Sequence, residues 1–229
     1  MKKLLIMALL SLFVISCKTE TKKKDDRPDN SEISESNLSM NQKIANANGL
    51  KAFDSISQIN FTFNVKINDT LRANREWKWN TKSNEISLKE KDSTMTYTKD
   101  GSIAENEKAI DQKFINDTYW LLFPYQLEWA DADFKESEKV KAPISGKEMN
   151  MMSITYPNEG GYTPGDTYDI YFTEDNMIQE WVYKPADGSR EMATTWEEYE
   201  DFNGVKIAKS HKSKDGSFQL YFTDVSVKR

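Results

Sequence analysis

Ile59–Asn80 reads INFTFNVKINDTLRANREWKWN, and its pattern sets the architecture of the chain. Ile59, Phe61, Phe63, Val65 and Ile67 alternate with Asn60, Thr62, Asn64, Lys66 and Asn68. That period of two places apolar side chains on one face of a strand and polar ones on the other. Asn68-Asp69-Thr70 is turn chemistry, because Asn and Asp tolerate a left-handed backbone and hydrogen-bond their own loop. The return strand, about Leu71 to Asn80, places Arg72, Asn74, Glu76, Lys78 and Asn80 outward. Leu71, Ala73, Arg75, Trp77 and Trp79 then share the inner face. A sheet with one apolar face needs a cover on one side only, which is the antiparallel pattern.

The same grammar extends in both directions. Short strands are expected at Glu85–Glu90 and Ser93–Lys99. Further strands are expected near Glu148–Tyr156, Thr167–Thr173, Met177–Lys184, Met192–Phe202, Val205–Ser213 and Ser217–Val227, with turn residues between them. Asn203-Gly204 is the strongest hairpin signal, since both residues accept the positive φ of a type I′ turn. Ala130–Lys147 is charged and reads as a loop with room for one strand. Two helices complete the set. The first opens on a Ser39/Gln42 capping box and carries Ile44, Ala47, Ala52, Phe53 and Ile56, with Gly49 weakening its middle. The second opens on Ser102/Glu105 and runs to about Phe123, where Pro124 is expected to stop it. Its end and the residues that follow, FINDTYWLLFPYQLEW, are the densest apolar and aromatic part of the chain after the leader.

The leader itself is MKKLLIMALLSLFVISC. Two lysines precede a short apolar run, and small Ser16 stands before Cys17. Residues 1–16 read as a secretory signal peptide, too short to be a transmembrane helix. Val14-Ile15-Ser16-Cys17 resembles the lipobox of bacterial lipoproteins, with Val14 where Leu is usual. That resemblance implies cleavage before Cys17, lipidation of its thiol and anchoring to a membrane of the cell envelope, with the outer membrane as the expected site. Lys18–Asn37 has one large apolar residue, Ile33, and reads as a tether with a reach of roughly 25 Å. The expected organisation is a signal peptide at 1–16, a lipidated Cys and tether at 17–37, and one domain at 38–229.

Composition removes several classes of function. The chain of 229 residues has 31 basic and 37 acidic side chains and a formal net charge of −6. Both leader lysines leave with the signal, so the remaining chain is more acidic still. Nucleic acid is not an expected partner, since a phosphate backbone requires a basic face. Cys17 is the only cysteine and His211 the only histidine. A structural zinc site wants several such ligands, and a His-based nucleophile needs a base, an orienter and a nucleophile in one place. His211 is expected on the surface of a late strand. The acid clusters Glu197, Glu198, Glu200, Asp201 and Asp131, Asp133, Glu136, Glu138 lack a calcium-loop spacing and read as solvated faces. No phosphate-binding or dinucleotide motif is present, and no cofactor is expected.

An N-terminal helix, the Phe61-Phe63-Val65 strand, Arg75-Glu76-Trp77-Lys78-Trp79, a middle helix ending in Leu122-Phe123-Pro124 and the late hairpin Tyr199–Ile207 together resemble the LolA/LolB-like superfamily. Ala208 stands where relatives often carry proline. The resemblance implies an α+β fold, an antiparallel half-open β-barrel whose concave face is covered by two helices. It also implies a greasy cavity that accepts a lipid or acyl chain. On that reading the function is non-enzymatic binding of a hydrophobic ligand. The other reading is a surface module for glycan or protein with a filled core, for which Trp129 and Trp196 are candidate exposed aromatics.

Candidate ligand-binding residues follow from face and composition. Arg75 shares the inner face with Trp77 and Trp79, so its guanidinium must meet either a ligand carboxylate, ester or phosphate, or an acidic neighbour. Trp77, Trp79, Trp120 and Trp181 either line a cavity or fill the core. Pro157–Asp166 is a glycine-rich loop in which Tyr162 is placed to act as a lid. Oligomeric state leaves no mark in the sequence.

Overall fold

The computed structural model describes residues 37–162 and 164–229; the expected signal peptide, Cys17 and nearly all of the tether lie outside them. Among the described residues two short α-helices come first, α1 (Met40–Ala47) and α2 (Leu50–Phe53). Four strands follow, β1 (Gln58–Ile67), β2 (Thr70–Asn80), β3 (Glu85–Glu90) and β4 (Ser93–Thr98). A 3₁₀ turn at Glu105–Glu107 leads into α3 (Lys108–Trp129). The remainder is β5 (Asp133–Lys141), β6 (Glu148–Thr155), β7 (Thr167–Phe172) and β8 (Ile178–Lys184), then β9 (Met192–Thr195), β10 (Glu197–Phe202), β11 (Val205–Lys212) and β12 (Phe218–Lys228).

All strand pairs among the described residues are antiparallel. They form a seven-stranded sheet, β10-β11-β12-β1-β2-β3-β4, and a five-stranded sheet, β5-β6-β7-β8-β9. Neither sheet closes on itself. The chain passes from one to the other between β9 and β10, at Trp196. The expected single strand Met192–Phe202 is therefore two strands in two sheets. The inner faces of both sheets meet α3. Trp77 and Trp79 of the large sheet pack on Phe114, each at 5.4 Å between ring centroids. On the other side, Trp181 of the small sheet packs on Trp120 at 4.3 Å and on Phe123 at 5.1 Å. A helix enclosed from several sides needs apolar residues all round. From Trp120 to Pro124 every side chain of α3 is buried.

The alternation of the opening stretch holds in its first half only: Ile67, expected inward, is 43% exposed, and Thr62 and Asn64, expected outward, are buried. Ile59, Phe61 and Phe63 are core residues, and Asn68 and Asp69 take φ of 47° and 59° at the turn between β1 and β2. Leu71 departs from its expected inner position and is 51% exposed. Register slips between Val65–Ala73 and Lys66–Leu71, so Arg72 is an extra residue and the strand end rolls over. Asn203 and Gly204 take φ of 57° and 90°, as the hairpin signal required.

Three further expectations are corrected. The Ser102/Glu105 box does not form, and Ala104 caps the 3₁₀ turn instead. Pro124 does not end the second helix; a kink at Leu122 (φ −123°, ψ 24°) absorbs the ring and α3 continues to Trp129. The first helix breaks at Gly49, whose φ is 98°. A Cβ there would stand 1.8 Å from the Gly204 carbonyl oxygen, so the helical joint and the β10–β11 turn can approach only through glycine. Lys206 N–H and the Tyr125 hydroxyl both donate to the Asn48 carbonyl at the same joint.

Candidate functional site

Half of the candidate ligand-binding residues come together in one place. Trp120 and Trp181, with Tyr162 at the margin, line a cleft of about 250 Å³ between α3 and the small sheet. Ile115, Tyr119, Tyr168, Tyr183 and Met192 extend its wall, and Gln112 and Asn116 add two neutral amides. The rings interlock: Tyr168 lies 5.1 Å from both Tyr119 and Trp181, and the Tyr119 hydroxyl donates to that of Tyr156 at 3.0 Å. Burial pushes the Tyr119, Tyr156 and Tyr168 hydroxyls above their ordinary pKa, so all three stay neutral. The cleft is an uncharged aromatic slot. The Trp181 indole nitrogen, fully buried, has no hydrogen-bond partner among the described residues.

Tyr162 is held across the end of this slot. It is 42% exposed, and its hydroxyl donates to Asp111 Oδ2 at 2.7 Å. Asp111 sits in the first turn of α3 with its side chain buried. It also accepts from the Tyr97 hydroxyl at 2.9 Å and from Lys99 Nζ at 2.7 Å. Burial alone would raise the Asp111 carboxyl, but hydrogen bonds from Lys99, Tyr162 and Tyr97 outweigh it and hold the group below its ordinary value of 3.8. The bond to this carboxylate pushes the Tyr162 hydroxyl up to about 12. Three donors on one carboxylate thus fasten a loop, a strand end and a helix start.

A lowered carboxylate pKa contributes stability above the unfolded value and loses it as pH falls through the folded one. Asp111→Asn is therefore expected to cost roughly 2 kcal/mol at neutral pH. It is also expected to flatten the decline of stability below the ordinary carboxylate pKa. Urea denaturation of both proteins across the acid range checks this; parallel curves would show that Asp111 is not the group responsible.

Arg75, Trp77 and Trp79 lie elsewhere, where the large sheet meets the start of α3. Arg75 donates through Nε and Nη2 to the two oxygens of Asp117, at 2.7 and 2.6 Å. The Trp77 indole N–H donates to the same carboxylate at 2.8 Å. The guanidinium also covers the Phe63 ring at 4.5 Å. Of the two partners open to Arg75, the acidic neighbour is the one it meets. Burial pushes the Asp117 carboxyl up, while Arg75 pulls it back. Trp79 packs between Phe53 and Phe114, at 6.1 and 5.4 Å.

Asp111 and Asp117 escaped the sequence reading. Their signal was available: Asp117 falls on the apolar stripe of Phe114 and Leu121 at helical spacing, where a solvated acid does not belong. His211 is also corrected. It is fully buried, 4.4 Å from Trp196 and 5.3 Å from Trp120 between ring centroids. Its Nδ1 faces the Thr195 carbonyl at 3.2 Å, and its Nε2 has no partner among the described residues. Trp196, a candidate exposed aromatic, is 2% exposed; Trp129 is 44% exposed at the end of α3. Among the described residues no three His, Cys, Asp or Glu side chains group as metal ligands would. None of the described helices is long and apolar enough to cross a membrane.

No protein family model and no curated protein matches the chain. Among solved structures it is similar to a DUF1329 family protein from Desulfovibrio piger. That match has a TM-score of 0.45 and 7% identity, covering 82% of this chain and 91% of the other. It is similar also to a LolA superfamily protein from Nitrosomonas europaea, with a TM-score of 0.45 and 10% identity, covering 84% of this chain and 95% of that one.

Proposed function

We propose that this chain is a membrane-anchored lipoprotein of the cell envelope, not an enzyme, that takes the end of an acyl chain into the cleft between α3 and the small sheet. The observation that carries the reading is the slot itself, aromatic, uncharged and bordered by Tyr162. Its size limits what it can hold. Sites for drug-sized ligands run from roughly 300 to 1,000 Å³, and this cleft is about 250 Å³. It suits a chain end, with the remainder of the ligand outside. Cys17 supplies the anchor on this reading, and the leader and lipobox support it.

Binding by burial has a measurable signature. Each methylene taken from water contributes about 0.8 kcal/mol. The full chain carrying Cys17→Ser, so that no acyl group of its own competes, is titrated with saturated fatty acids of increasing length. Tryptophan fluorescence reports binding. Affinity is expected to climb with length and then level off when the slot is full. Ile115→Trp, which fills the slot from the helix side, is expected to weaken binding at least tenfold with an unchanged melting temperature. Absence of binding, or equal binding by the Ile115→Trp protein, overturns the proposal. Affinity for a sugar through Trp129 alone would favour the glycan-binding module instead.

A further inference from the structure

The aromatic cleft has a neighbour. An open cleft of about 800 Å³ lies between the residues leading into β9 and the β11–β12 turn. Met192 lines both cavities. Phe218 lines the larger one and packs at 6.3 Å on Trp120, which lines the smaller. Met192 is therefore common to both linings, and the Trp120–Phe218 ring pair connects a greasy space with a charged one. Each wall of the larger cleft carries one cation and one carboxylate, Arg190 with Glu191 and Lys214 with Asp215. Neither Arg190 nor Lys214 forms a salt bridge among the described residues; Lys214 Nζ reaches only the Pro143 carbonyl at 3.3 Å. Asp215 is fixed in place by Ser213 Oγ at 2.7 Å and by Ser217 N and Oγ at 3.0 and 2.7 Å.

We propose that the two cavities form one site for a zwitterionic amphiphile, its chain end in the aromatic cleft and its two-signed head group in the Arg190–Lys214 cleft. This rests on the acyl-binding reading above and adds the class of head group. A purely anionic head would face Glu191 and Asp215, and a purely cationic one would face Arg190 and Lys214. A head with both charges satisfies all four. The donors to Asp215, the Ser213 and Ser217 hydroxyls and the Ser217 amide, hold its carboxyl down at about 2, so it is charged throughout the physiological range. The cleft is open to water, so each pairing contributes modestly.

The test holds the chain constant and varies the head. The full Cys17→Ser chain is titrated by calorimetry with a monoacylglycerol, a lysophosphatidylglycerol and a lysophosphatidylethanolamine bearing the same acyl group. The lysophosphatidylethanolamine is expected to bind roughly tenfold more tightly than the neutral lipid, a factor that two such pairings can supply. Arg190→Ala with Lys214→Ala is expected to abolish that preference while leaving monoacylglycerol binding unchanged. Glu191→Gln is expected to weaken the zwitterion and strengthen the anionic lipid. Equal affinity for the three heads, with chain-length dependence intact, overturns this inference and leaves the acyl-binding reading standing. Failure of all three lipids to bind overturns both.

Discussion

Asp117→Ala is expected to lower the stability of the domain by about 3–5 kcal/mol, enough to unfold much of a typical population at moderate temperature. Asp117 is completely buried. Its carboxylate accepts two hydrogen bonds from Arg75, one from Trp77 and one from Asn116 at 3.0 Å. Alanine would leave a guanidinium with a side chain only 14% exposed and no acceptor, and an indole N–H without a partner. The loss comes from the stranded charge more than from the pair, because desolvation consumes most of the Coulomb gain of a buried salt bridge. The double variant Arg75→Met with Asp117→Leu is accordingly expected to recover most of the stability. Urea denaturation of the three proteins, compared at equal m-values, decides the matter. A loss below about 1 kcal/mol in the single variant would mean the ion pair is not formed. The double variant also separates structure from binding. On the reading proposed here it keeps its affinity for fatty acids, because Arg75 is outside the aromatic cleft. Lost affinity in a folded double variant would return Arg75 to the site.

The pieces that sequence conveyed well are those in which one local rule acts alone. Alternation in Ile59–Phe63 needs only a sheet with one dry face. Asn203-Gly204 needs only a turn of positive φ. Where two rules compete, tertiary packing overrides the local one. Pro124 breaks helices by rule, yet burial of Leu121, Phe123, Tyr125 and Leu127 in the core outweighs the lost backbone bond, and a kink at Leu122 accommodates the ring. Met192–Phe202 has unbroken strand chemistry, and nothing in it marks a change of sheet. Trp196 looked exposed because charged Glu197 and Glu198 follow it. Those acids belong to β10, while Trp196 itself sits in the seam. The cleft was half legible for a related reason. Aromatic content selected Trp120 and Trp181, but whether such rings fill a core or line a slot depends on how far α3 stands from the small sheet. That distance is set by tertiary packing, to which no single segment has access.

Trp196→Ala is expected to cost about 3–5 kcal/mol as well, by a different route. Its ring packs on Phe123, Trp181 and His211, at 5.7, 5.3 and 4.4 Å between centroids, and so touches the helix and both sheets. Its backbone N–H donates to the Gln179 carbonyl at 2.7 Å, a bond that alanine keeps. The loss is therefore a cavity at the joint between sheets, and Trp196→Phe should recover part of it. His211 reports on that cavity independently. Burial drives its pKa from 6.5 down to about 3, so the imidazole is neutral in the folded protein throughout the physiological range. A depressed histidine pKa means that the unfolded chain binds a proton the folded one refuses. This contribution leaves stability undiminished above pH 6.5 and erodes it as pH falls from there toward 3. In the Trp196→Ala protein, water reaching the vacated space should restore much of the ordinary pKa. As the only histidine in the chain, His211 gives a single imidazole Hε1 resonance. That resonance is expected to stay flat between pH 5 and 8 in the parent and to titrate in the variant. A parent resonance that titrates normally would show that water already reaches the seam. A variant resonance that stays flat would show that the core has collapsed onto the missing ring. In that case the stability loss should fall toward the lower end of the expected range, because the penalty for a large-to-small change scales with the cavity that remains.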